Sequence, residues 1–233
     1  MTFLITLLCT TLACIVLRPV IRKVPWLFYA LAVAVVVAFF AGTTLDLPRD
    51  ARMAMVFMMQ KCMLATALFV VVMYIGVLPK SSKARHWMQP LRGPLSIVAC
   101  ILALGHMVRY FMTYITRVMG GGAVAANVMV SFVIAIVLFA LLIVLGVTSF
   151  NAIKKRMDAR LWKRIQWFAY IFYALVYVHL LIMLGPAALA GGKNALISAG
   201  IYTVVFGAYL ALRIVKAKRD KKLEEQQAEL ASA

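Results

Sequence analysis

The sequence predicts an all-α polytopic membrane protein, a bundle of seven transmembrane helices, or six if the weak first span is discounted. Three observations carry this. The 233 residues are 65% hydrophobic and only 14% charged, too apolar for a soluble domain with a polar surface. The apolar residues gather in runs close to the roughly 20 needed to cross a bilayer. The basic residues gather between those runs, alternately dense and sparse.

Phe3 to Leu17 is the first run, with no basic residue before it and Arg18, Arg22 and Lys23 after it. A signal peptide places its basic residues first, so this reads as a retained span. Trp26 to Thr43 is the second. The connection Thr44 to Arg52 carries Asp46, Arg49, Asp50 and Arg52, balanced in sign, with a turn at Pro48. Ala54 to Leu78 reads as a continuous third span, with Gln60 and Lys61 near enough its start to snorkel to the headgroups.

The loop PKSSKARHWMQPLR, Pro79 to Arg92, is basic, and Pro94 suits the first turn of a fourth span running to about Tyr114. MGGGAVAAN then leads into a fifth, Val128 to Phe150. The basic segment Asn151 to Arg164 returns the chain to a sixth, Ile165 to Leu184, and GPAALAGGKN leads to a seventh, Leu196 to about Leu212. A charged, helical tail follows. The organisation is therefore N-terminal spans over 1–78, a membrane core over 79–217 and a charged tail over 218–233.

Net charge is +18, but in a chain this apolar the cations orient spans and do not signal nucleic acid. The connections after spans one, three and five, with the tail, hold 19 of the 25 Lys and Arg. Positive-inside bias then places the amino end outside and the tail in the cytoplasm of a bacterial inner membrane. Cys9, Cys14, Cys62 and Cys100 lie in apolar runs without CxxC spacing and read as small buried hydrophobes. The seven acidic residues fall in loops and tail, so no catalytic residue is expected.

His106 and His179 are the residues that ask for chemistry, because a ligating side chain inside a span is costly and functional by default. His106 lies 12 residues into the fourth span and His179 14 into the sixth, roughly 18 to 21 Å above the same membrane edge at about 1.5 Å per residue. The two spans run in the same direction. Two imidazoles at one depth can supply both axial ligands to a porphyrin between helices; the other reading is two unrelated histidines, each bonded to a neighbouring helix. Arg109, one turn from His106, is either a partner for a haem propionate or a snorkelling interface cation.

RGPLSIVACILALGHMVRYF, followed by VLFALLIVLGVTSFNAIKKRMDARLWKRIQWFAYIFYALVYVH, resembles the ferric-reductase-like transmembrane domain. Within that superfamily it looks most like the haem-binding membrane subunits of bacterial periplasmic methionine sulfoxide reductase systems. The likeness covers about Pro79 to Ala217, its most telling residues being Thr148, Ser149, Trp162, Tyr170 and His179. It implies a b-type cytochrome that takes electrons from quinol or a flavin and serves an extracytoplasmic redox protein, with His106 and His179 as haem ligands.

Related proteins often carry a second histidine 13 or 14 residues before each outer one. Here those positions are Gln166, and Arg92 or Gly93, so the resemblance implies one haem b rather than two. His86, beside Trp87, reads as a loop residue; the other reading is an inner quinone or FMN site lined by His86, Arg92 and Gln166. No dinucleotide-binding motif follows the spans, which predicts an electron-transfer subunit of an oxidoreductase system rather than a complete NADPH-linked reductase. The competing class is a non-redox polytopic protein such as a small transporter or assembly subunit, for which broken spans near the midplane are expected.

Overall fold

A computed structural model describes residues 2–42 and 48–232. Residues 44–47 of the balanced connection, Asp46 among them, and the last residue of the second predicted span, Thr43, lie outside the described residues. All regular structure among the described residues is helical: α1 (Thr2–Val16), α2 (Arg18–Lys23), α3 (Pro25–Ala41), α4 (Arg49–Met55), α5 (Met63–Val77), α6 (Lys83–Met88), α7 (Arg92–Met119), α8 (Ala126–Ser149), α9 (Asn151–Lys154), α10 (Ala159–Leu189) and α11 (Lys193–Ser232). A π-helical turn, Val56–Gln60, joins α4 to α5, and a short 3₁₀ turn, Gln89–Leu91, precedes α7.

The boundaries follow local chemistry. Pro25 opens α3 in the first turn, where its missing N–H costs nothing. Ser82 caps α6 by accepting from the Arg85 N–H at 3.2 Å. Asp158 caps α10, its carboxylate accepting from the Arg160 and Leu161 N–H groups at 2.9 and 3.0 Å. The turns after α7 and α10 place Gly121 and Gly191 at φ of 71° and 81°, left-handed conformations that favour glycine.

Four helices are long and apolar enough to cross a membrane, and five if the bent pair α4–α5 is one span; α1 and α3 are shorter apolar helices. Large apolar side chains cover the outside, among them Leu31 and Val37 on α3, Val133 and Ile136 on α8 and Val204 on α11. Such a surface belongs in lipid.

The interior is built on α5. Ten of its 15 residues are buried, and it is packed by α1, α7 and α11. Farther out, α3 and α8 close on α7, while α10 sits against α8 and α11. Because α7 and α10 each lean on α8 instead of closing on one another, space is left between them.

Two expectations are corrected here. The third span is not continuous: the chain bends by 46° between Gln60 and Met63, with Cys62 at a φ of 53°. A left-handed non-glycine residue cannot continue an α-helix, and the π-turn before it has already disturbed the hydrogen-bond ladder. The cysteines are also not uniformly buried. Cys14 and Cys100 are, but Cys9 is exposed and Cys62 half-buried at the break.

Candidate functional site

A cavity of about 570 Å³ occupies the space between α7 and α10, with the α4–α5 break, α8 and α11 completing its wall. That volume lies within the ~300–1,000 Å³ range usual for cofactor and ligand sites. Both predicted ligands, His106 and His179, line it. Its wall is otherwise mostly apolar and aromatic: Tyr110 and Tyr114 extend the face of His106, and Phe172 and Val176 that of His179. His106 and Tyr110 have ring centroids 4.8 Å apart, and Phe69 meets Phe172 edge-on at 5.0 Å.

Each histidine is held through the same ring nitrogen. His106 Nδ1 lies 3.1 Å from the carbonyl oxygen of Met59, in the π-turn. The break is what offers this carbonyl: the ladder here runs from the Lys61 N–H to Val56 and from the Cys62 N–H to Met59, and no longer follows the regular i to i−4 pattern. His179 Nδ1 lies 2.8 Å from Ser131 Oγ and 3.3 Å from the Ser131 carbonyl oxygen. A carbonyl only accepts, so the tautomer that satisfies both rings carries its proton on Nδ1. Nε2 then keeps its lone pair for a ligand.

Gly105 makes the first of these contacts possible. A Cβ at this position would come within 2.8 Å of both methyl carbons of Val36 and 3.3 Å of the Met59 side chain. The missing side chain thus lets α3 and the π-turn approach α7 one residue before His106.

The other predicted residues fall elsewhere. Arg109 is half-buried on α7 but is not part of the cavity wall; the cation that lines it is Lys61, beside Gln60. None of His86, Arg92 and Gln166 lines the cavity. His86 is exposed on α6, Arg92 lies against Gly76 of α5, and Gln166 donates to Thr148 Oγ1 of α8 at 3.2 Å. Thr148 also accepts from the Trp162 indole N–H through its carbonyl, at 3.1 Å, so these residues join α8 to α10.

Sequence reasoning missed Ser131, the Met59 carbonyl and the wall position of Lys61. Ser131 could have been found: it is a hydroxyl in an apolar run, far along the span from Thr148 and Ser149 at the other end, and such a group looks for a polar partner. Gln60 and Lys61 interrupting an apolar run were a signal of the break, overridden by the option of snorkelling.

Among the described residues no group of three or more His, Cys, Asp or Glu side chains could hold a metal ion. Two imidazoles on the wall of one cavity lend themselves only to a metal that brings most of its own ligands, as the iron of a porphyrin does. The donor set fits haem: two neutral imidazoles with their N–H groups tied to protein oxygens, as metal-binding histidines usually are, in an apolar chamber with one cation.

Fold and site together define a helical membrane protein with a histidine-lined, largely apolar chamber between two of its long helices. A protein of Treponema pallidum (strain Nichols), described only as an uncharacterized protein, is similar: it is 40% identical over 159 residues, which are 68% of this chain and 44% of that protein. The chain thus spans less than half the length of the relative it matches. No family description and no solved structure matches the chain.

Proposed function

We propose that this chain is a membrane b-type cytochrome subunit, in which His106 and His179 hold one haem b and electrons pass from a quinol to an extracytoplasmic redox protein. The observation that carries the reading is the pair of Nδ1 contacts, to Met59 and to Ser131, which leave two Nε2 atoms in one chamber. Haem supplies one-electron chemistry in such a site. The chain's own residues do the rest: Met59 and Ser131 fix the tautomers, the aromatic wall excludes water, and Lys61 offers a cation to a propionate.

In this reading the chain crosses a bacterial inner membrane seven times, counting α1, α3 and the bent α4–α5 pair, with its amino end outside. Quinol is favoured over a cytoplasmic FMN as donor, because a lipid-soluble donor can reach the chamber from the bilayer. The resemblance to periplasmic sulfoxide reductase systems makes such a reductase the natural class of acceptor. A visible spectrum of the purified protein tests the proposal: sharp reduced bands of a low-spin b-type cytochrome are expected, and a colourless protein refutes it.

One observation favours a second reading, a small transporter. The break at Gln60 to Met63 places irregular backbone and a lysine on the chamber wall, and broken helices line the substrate sites of many transporters. The same spectrum separates the two.

A further inference from the structure

The Lys- and Arg-rich end of the bundle holds a second cluster, away from the histidine chamber. Lys80, Arg85, Arg92, Arg213 and Lys216 converge there from the α5–α6 connection and from α6, α7 and α11, and the nearest carboxylate is Asp220, 3.9 Å from Lys80. Two of these cations have a structural explanation. Lys216 Nζ donates to the Gly76 carbonyl at 2.6 Å and the Leu78 carbonyl at 3.5 Å, and Arg85 donates to Leu78 at 2.9 Å. Both neutralise the negative end of α5.

Arg92 and Arg213 are not accounted for in this way. Neither guanidinium takes part in a hydrogen bond among the described residues, and Arg92 Nε is buried without a partner. A buried unpaired guanidinium nitrogen calls for an acceptor from outside the fold. Arg213 lies over the ring of Tyr170, 4.8 Å from its centroid. Tyr170 and Tyr209 are electrostatic neighbours of Arg92, and Tyr209 is also one of Arg213. Tyr173, whose hydroxyl is the other buried polar atom without a partner, packs edge-on against Tyr209 at 4.8 Å. Two arginines therefore flank a group of phenols, with spare donors and no carboxylate paired with them among the described residues.

We propose that Arg92 and Arg213, with the hydroxyls of Tyr170 and Tyr209, form a binding site for a phosphate-bearing anion at this end of the bundle. Guanidinium groups suit phosphate oxygens through paired N–H donors. Basic pockets between spans recognise anionic headgroups in the same way. The phosphate comes either from a phospholipid of the surrounding leaflet or from a soluble phosphate compound. The site does not depend on haem in the chamber.

The test is native mass spectrometry of the full chain in a non-ionic detergent, titrated with phosphatidylglycerol or phosphatidylcholine, alongside thermal unfolding with inorganic pyrophosphate. Retention of phosphatidylglycerol over phosphatidylcholine, weakened roughly fivefold by Arg92→Gln and again by Arg213→Gln, is expected for a lipid source. A pyrophosphate-dependent rise in Tm that both variants abolish, without lipid preference, supports the site with a soluble source. Arg49→Gln, at the other end of the bundle, is the control and should change neither. If the two variants bind phosphatidylglycerol and pyrophosphate as the wild type does, or the wild type binds neither, the proposal fails. Should Arg92→Gln not fold, Arg213→Gln decides alone, since Arg213 is half-buried on a helix that Tyr202, Phe206 and Tyr209 anchor.

Discussion

Ser131 of α8 reaches His179 of α10 with both of its oxygens, the hydroxyl at 2.8 Å and the carbonyl at 3.3 Å from Nδ1. The imidazole is thereby oriented by a helix other than its own, and Ser131 is itself almost fully buried. Ser131→Ala removes the closer contact but keeps the carbonyl. It should weaken haem retention by about tenfold, the low end of what loss of a hydrogen-bond partner to a ligating histidine costs, with little change in Tm. Haemin titration of the purified variant measures this. Wild-type affinity would reduce Ser131 to a space-filling role.

The second prediction concerns the approach of α3 to α7. Gly105→Ala puts a methyl group 2.8 Å from the Val36 methyls, and β-branched Val36 has no flexible end to swing aside. Overpacking of this kind costs about 1–3 kcal/mol, and here it also displaces Met59 from His106. Tm and haem content should fall together. Gly185→Ala, where an added Cβ meets nothing within 4 Å, should leave both unchanged.

Which parts of this were readable in the sequence has a physical pattern. The long helices were, because hydropathy is a property of the local run. His106 and His179 were, because their depth follows from counting residues along helices that enter from the same side. The break at Cys62 was not: Gln60 and Lys61 looked like the polar start of a straight span, and only the surroundings of α5 decide whether a lysine snorkels or bends inward. Arg109 was paired with His106 by helical periodicity, yet the cation on the wall is Lys61, which arrives from a different segment. The buried position of Lys216 was hidden likewise, since its acceptors, Gly76 and Leu78, are about 140 residues away. Periodicity reads faces of one helix; contacts between distant segments need the packing.

Lys61 and Arg109 can be told apart by potentiometry. Removing a cation near a haem stabilises its oxidised, more positive form, so Lys61→Gln should lower the midpoint potential. Arg109→Gln should lower it less, because Arg109 lies outside the chamber wall. A larger fall for Arg109→Gln would return the propionate contact to that residue.

The proposed topology rests on the division of basic residues, 19 of 25 on alternate connections and the tail. In a variant without native cysteines, Lys155→Cys should resist an impermeant thiol reagent in intact cells, while Lys193→Cys should react. Labelling of the first and protection of the second would invert the bundle and the direction of electron flow.

The central claim is that His106 and His179 ligate one haem between α7 and α10. Pyridine haemochrome analysis of the wild type, His106→Ala and His179→Ala, each normalised to protein, tests it most directly. The account predicts one haem b per wild-type chain with a low-spin reduced spectrum, and loss of that spectrum in both variants. Full haem content with an unchanged low-spin spectrum in either variant would contradict it.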